Sequence, residues 1–367
     1  TATVDTIFDQ NGQNPVVSLT QFAYDNPVHM NVTRTTVNKS NGDIITSLVN
    51  YPQDYSAGTP FIDSLVAHNV ISLPIETIKY QTDPSNNTTI LGGTVSTFKQ
   101  DGKGLPDIIE QIANTQPILP GSFKFSNTPG TGLWPYNTSS KSVFSPDPSF
   151  VNRASFISYD NFGNILSDQK VGDFVYSYLW DYQSVYPIAE VKNASQSDIA
   201  YTSFEADGAG NWHIPDTTRI RAYAMTGTMS FGLNSGNTIT ASGLNSSKTY
   251  IVSYWSRAGS MTVNGTSGTL GDTVTAGGYT WGYYEHTIDG ATSVSISGTG
   301  AIDELRLFPK GSLMTTYTYT PLVGMTSQCT PTNYITYYGY DGLARLNVVR
   351  DMRGNVIKTY NYHYRSQ

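Results

Sequence analysis

The chain has 367 residues, of which only 13% are charged; it holds 26 Tyr, 33 Gly and 18 Pro and carries a net charge of −7. That length supplies a core for two or three domains, and the acidic balance excludes a nucleic-acid partner, because no basic stripe is available to displace counterions. The single Cys329 excludes an internal disulfide, and the longest apolar run, NVISLPI at 69–75, is broken by Pro74 and too short to cross a bilayer, so no membrane insertion is expected. Charge at about half the globular norm of roughly 25%, combined with abundant tyrosine, points to half-exposed β-sheet faces, where a ring packs and its hydroxyl meets water. One cysteine does not exclude export, since a large β-protein can do without disulfides. With Thr1 in first place and no leader pattern, the chain reads as a fragment or a processed product.

In chain order, residues 1–150 hold FAYDNP (22–27) and KSNGDIITSLVNY (39–51), alternating runs with turn residues between them. DPSNNTT (83–89) and SNTPGTGLWPYNTSSKS (126–142) are polar, Pro/Gly-rich connections. Between them LPDIIEQIA (105–113) places Leu105, Ile108, Ile109 and Ile112 at helical spacing and reads as the one short helix, a strand being the alternative. FISYDNFGNIL (156–166) opens the stretch 151–199, with Tyr159-Asp160 followed by Gly163-Asn164. Residues 200–309 change character. Gly, Ser and Thr rise, and short strands recur about every ten residues, as in a sandwich. The clearest are KTYIVSYWSR (248–257), YTWGYYEHTI (279–288), TSVSISG (292–298) and AIDELRLF (301–308).

Residues 310–367 return to tyrosine-rich ribbons. TNYITYYGY (332–340) lies over GNVIKTYNY (354–362) at a shift of 22 residues, and TTYTY (315–319) is a fainter third copy. Fixed periods of this size mark stacked supersecondary units, each too small to bury its own face. The last ribbon offers a proline-free edge that another repeat or a partner subunit is expected to cover.

The pattern of Tyr338, Tyr340, Asp341, Arg345, Leu346, Val349, Asp351, Gly354 and Asn355 resembles the YD repeat of rearrangement-hotspot (RHS) and teneurin-like proteins, with Ala344 where a glycine is usual. This resemblance implies strands that wind into a shell or spiral, a secreted or surface location on a bacterium, and other segments or subunits of a larger assembly as partners. SFEADGAGNW (203–212) and AIDELRLF (301–308) resemble the first and last strands of jelly-roll carbohydrate-binding modules. The expected fold is therefore all-β: degenerate YD-like repeats at 1–150, YD-repeat sheet at 151–199 and 310–367, and an inserted β-sandwich at 200–309.

The second resemblance implies that Glu205 and Asp303 hold a structural Ca²⁺, completed by backbone carbonyls; such an ion takes several hard oxygens. The competing reading makes both residues solvated acids at strand ends. A glycan is the second candidate partner. Alternation puts Trp255 and Arg257 on one face of their strand and groups Trp281, Tyr283 and Glu285 on another. A pyranose could stack on Trp255 or Trp281 while Arg257 and Glu285 bond its hydroxyls. Against this, large aromatics in strands are more often core.

No catalytic constellation emerges. The five histidines, His29, His68, His213, His286 and His363, show no zinc-binding spacing, no G-x-S-x-G elbow occurs, and Cys329 reads as an unreactive strand-end thiol. Nothing matches the D-P-x-G-L self-cleavage motif of toxin-releasing RHS proteins. The expected function is a non-catalytic structural or interaction segment of an exported RHS/YD-repeat protein that displays a sandwich. The alternative is a carbohydrate-binding surface protein working through 200–309, with a polysaccharide-degrading enzyme as a weaker third.

Overall fold

The computed structural model describes residues 1–8, 11–13, 16–114, 116–132, 141–215, 219–276 and 278–363. The chain is all-β, with 49% in strands and 5% in helix, and divides into two units, Thr1–Phe156 and Ile157–Gln367.

In the first unit, strands Ala2–Ile7 (β1), Val16–Ala23 (β2), Arg34–Asn38 (β3), Ile44–Asn50 (β4), Glu76–Thr82 (β5), Thr88–Phe98 (β6), Pro106–Ile112 (β7) and Phe150–Tyr159 (β8) form an antiparallel meander, each pairing with the next. Its core joins Leu48, Ile78, Ile90 and Val95 to Phe123, Phe125 and Phe150. The segment 105–113 is strand, correcting the helix expected there: Ile109 pairs with Ser96 on one side and Ala154 on the other. Two flanking strands satisfy its amides and carbonyls, and this outweighs the apolar spacing. The α-helix lies instead at Pro60–Ala67 (α1), with Thr59 as N-cap. Pro60 at the first helical position gives up no intrahelical bond. Phe61, Ile62 and Leu65 then pack with Tyr55, Ile75 and Phe98. Of the connection at 126–142, residues 133–140 lie outside the described residues.

In the second unit, Ile165–Lys170 (β9), Val175–Asp181 (β10) and Tyr186–Lys192 (β11) begin a sheet that the chain then leaves. Eleven strands follow: Ala200–Thr202 (β12), Arg219–Ile220 (β13), Ser230–Leu233 (β14), Ile239–Ser242 (β15), Thr249–Ser256 (β16), Thr262–Val263 (β17), Thr266–Ser267 (β18), Thr269–Ala276 (β19), Tyr279–Asp289 (β20), Ser293–Ser297 (β21) and Gly300–Pro309 (β22). They make a seven-stranded sheet, β13-β14-β22-β16-β20-β19 with β12 also on β22, and a four-stranded one, β15-β21-β17-β18. The first sheet then resumes with Leu313–Thr320 (β23), Gly324–Cys329 (β24), Ile335–Tyr340 (β25), Leu346–Arg350 (β26) and Val356–Thr359 (β27). β11 and β23 are neighbours, Ala189 opposite Thr316, and the Ser312 hydroxyl donates to the Asn193 carbonyl at 2.6 Å. The eleven strands are thus an insertion whose exit and return lie side by side. β27 is exposed along its length and pairs with β26 alone.

The hairpin turns explain the aspartate of the tyrosine-aspartate pattern. At Asp83–Asn87, Asp160–Asn164, Asp341–Arg345 and Asp351–Asn355 the first residue's amide donates to the fifth carbonyl, and the fourth amide donates back to the first carbonyl. In every copy the aspartate Oδ1 accepts the third and fifth amides, and Oδ2 accepts the fifth side chain: Asn87, Asn164, Arg345 or Asn355. These contacts hold the carboxyls of Asp83, Asp341 and Asp351 below their ordinary range, the fifth side chain contributing most. Lys39–Asp43 and Thr330–Tyr334 repeat the backbone pattern without the aspartate. The fourth residue takes a positive φ each time, from +57° to +91°, at Gly42, Asn86, Gly163, Asn333, Ala344 and Gly354. This closes a tight turn with a bulge that matches strand twist. Ala344, at +57°, is the copy with a Cβ strained against its carbonyl.

Two apolar layers flank the seven-stranded sheet. One, between it and the four-stranded sheet, joins Phe231, Tyr250, Val252, Tyr254, Leu305 and Leu307 to Ile239, Val263, Val294 and Ile296. The other, on its opposite face, joins Trp255, Val274, Trp281 and Ala301 to Cys329, Ile335 and Met352. β16 is accordingly buried at seven of its eight positions, the near-continuous pattern of a strand covered on both faces.

Candidate functional site

The residues expected to stack and bond a sugar are placed differently. Trp255 and Trp281 are both 0% exposed, so neither ring face is open to a pyranose, and this corrects the platform expected there. The alternation is as read, but the face opposite the sandwich core is covered too, and the two indoles fill that second layer. Neither indole N–H has a hydrogen-bond partner, so both rings act by packing. Tyr283 is half-buried against Trp255, with centroids 5.6 Å apart, and its hydroxyl donates to Glu285. Arg257 lies between the rings of Tyr223 and Tyr279, 3.8 and 3.9 Å from their centroids. These five residues do not converge on one open surface.

β22 carries what sequence reading missed. Trp255 pairs with Asp303 and Ser253 with Arg306, so one residue of β16 faces two of β22. This β-bulge puts Glu304 at φ +52° and resets the alternation. Ile302 before the bulge and Leu305 and Leu307 after it therefore share one core. Asp303, Glu304 and Arg306 are left buried. Glu304 Oε1 accepts the hydroxyls of Tyr201 (2.6 Å) and Thr226 (2.7 Å). Its Oε2 accepts the Thr316 hydroxyl at 2.9 Å and the Arg306 guanidinium at 3.3 Å. Arg306 also donates to Thr316 Oγ1 and to the Thr330 carbonyl. The network ties the insertion to the strands that follow it. The one outward signal was three charged residues inside the apolar run AIDELRLF.

Asp303 and Glu205 do converge, on the segment 225–229. Asp303 Oδ2 accepts the amides of Met225 (2.6 Å) and Thr226 (2.9 Å), and Oδ1 accepts that of Glu304. Glu205 Oε1 accepts the amides of Thr228 and Met229, and Oε2 the Thr228 hydroxyl. Burial, and then the charge of Glu304, pushes the Asp303 carboxyl well above its usual range; burial likewise raises Glu205. As arranged, these oxygens meet N–H donors, where Ca²⁺ would need six to eight oxygens. Among the described residues no three His, Cys, Asp or Glu side chains are grouped to hold a metal. The residues present therefore do not fit the calcium cage the resemblance implied.

The histidines are separate. Buried His29 accepts the Asn31 amide at Nδ1 and meets Asp54 through Nε2 at 3.3 Å, so both nitrogens are occupied and neither serves as a base. His286 lies between Tyr254 and Thr266, and burial lowers its pKa to about 4. Cys329 ends β24, and burial pushes its thiol up to about 12, far from the thiolate a nucleophile needs. No protein-family model matches the chain, and no curated protein matches it.

Proposed function

We propose that the chain is a non-catalytic structural and interaction segment of an exported bacterial RHS/YD-repeat surface protein, with the 200–309 sandwich built into the repeat sheet. The observation that carries this reading is the layer in which Trp255 and Trp281 meet Cys329, Ile335 and Met352. A module meant only for display would keep such aromatics on an open face. The recurring aspartate turn supports the repeat half of the reading, since one local solution is reused along the chain.

Limited proteolysis of the full chain tests the proposal. The junctions at 193–200 and 309–313 should resist cleavage, and no stable 200–309 fragment should accumulate. Release of that segment as a folded piece would favour the alternative, a sugar-binding module displayed by the repeats. Glu205 and Asp303 act in this reading as an amide clasp on 225–229. Thermal melting in millimolar Ca²⁺ and in chelator should accordingly give one midpoint; a rise with Ca²⁺ would restore the calcium reading, because a ligand that binds only the folded state raises its stability.

A further inference from the structure

A cleft of about 630 Å³ opens in the second unit between the insertion and the sheet that resumes after it. Its volume lies within the roughly 300–1,000 Å³ of small-molecule sites. Glu205, Asp207, Arg221 and Thr228 line one wall; Tyr319, Thr320, Thr326, Tyr337 and Tyr338 line the other, and Tyr182 completes it. The rings are held in place before any ligand arrives. Tyr319 stacks on Tyr186 at 4.8 Å and 18° and meets Tyr182 edge-on at 5.8 Å. The Tyr182 hydroxyl accepts the Tyr319 amide, and the Tyr337 hydroxyl donates to the Met225 carbonyl at 2.7 Å.

Polar groups in the same cleft remain to be satisfied. Asp207 and Arg221 are exposed, and among the described residues neither side chain has a hydrogen-bond or ion-pair partner. Glu205 Oε2 carries a single donor, Thr228, and so retains a lone pair.

We infer that this cleft binds a short neutral oligosaccharide. Tyrosine faces suit the C–H faces of sugar rings. A carboxylate accepts from paired hydroxyls while a guanidinium donates to them, so Asp207 and Arg221 together match a diol that does both. The carboxylates of Glu205 and Asp207 oppose an acidic glycan, and Arg221 opposes a cation held in an aromatic cage. Each wall comes from a different part of the chain, so the site exists only where the insertion is docked. The inference does not rest on the structural role proposed above, because ligand binding and fragment release are measured separately.

The test is calorimetric titration of the full chain with neutral gluco-, xylo-, manno- and chito-oligosaccharides of four to six units, with an oligogalacturonate and choline alongside. At least one neutral oligosaccharide should bind, and Asp207→Ala and Arg221→Ala should each weaken it tenfold or more while leaving the melting temperature unchanged. Both side chains are exposed, so the variants report on binding and not on folding. Failure of every neutral sugar to bind, binding of the acidic sugar or choline alone, or neutral-sugar affinity that survives both substitutions would overturn the inference.

Discussion

Replacing Trp281 with alanine is expected to destabilise the second unit by about 3–5 kcal/mol, the range for truncating a fully buried aromatic. The indole is 0% exposed in a layer with Met225, Trp255, Val274, Cys329 and Ile335, and surroundings so close-packed relax only partly around a void. Trp281→Phe should recover much of the loss by refilling part of the volume. Urea denaturation followed by near-ultraviolet circular dichroism measures both. Were Trp281 a ligand platform, the alanine variant would lose binding and little stability, since exposed substitutions usually stay within about 0.5 kcal/mol. A measured cost below about 1 kcal/mol would remove the docked layer from the description.

Stability of the first unit should fall as pH rises from about 4.5 to about 7, because of Glu76. Its carboxylate is 1% exposed and accepts the Ser126 amide at 3.0 and 3.1 Å and the Asn50 side chain at 2.8 Å. Burial outweighs those bonds and raises the pKa from 4.5 to about 7. The native state then holds a proton that the unfolded chain has released, so unfolding is favoured by increasing pH across that window and levels off above it. A shift of this size corresponds to about 3 kcal/mol. Glu76→Gln removes the ionisation, so its stability relative to wild type should climb by that amount between pH 4.5 and 8. Parallel slopes for the two proteins would exclude Glu76 as the source.

Much of the fold was legible because repeats and turns are local. Tyr159-Asp160 and Tyr340-Asp341 announced hairpins, and their aspartates supply the acceptors that those turns need. The insertion was legible as a change of composition near residue 200 and a return near 310. The helix was not, because LPDIIEQIA has helical spacing but gains strand partners on both sides, whereas PFIDSLVA is too short to show a period. The faces of β16 were read in the right alternation, yet nothing in a sequence says that both will be covered. The convergence of Glu205 and Asp303 was foreseen; their partners were not, since backbone amides leave no mark in the residue pattern. Glu76 and the Glu304–Arg306 pair carried no local signal as buried groups, because their burial is made by distant strands.

The bulge at Glu304 acts as a reading frame for β22. Side chains on a strand take alternate faces, so one surplus residue assigns Leu305 and Leu307 to the sandwich and Arg306 to the adjoining sheet. Excising Glu304 would do more than delete a charge: it would exchange the faces of everything from Leu305 to Phe308, drive a guanidinium into the sandwich core, and turn two leucines toward Thr316 and Thr330. A point substitution keeps the frame and loses one contact, whereas a single-residue deletion keeps the composition and loses the docking surface. In this strand the count of residues matters more than their identity.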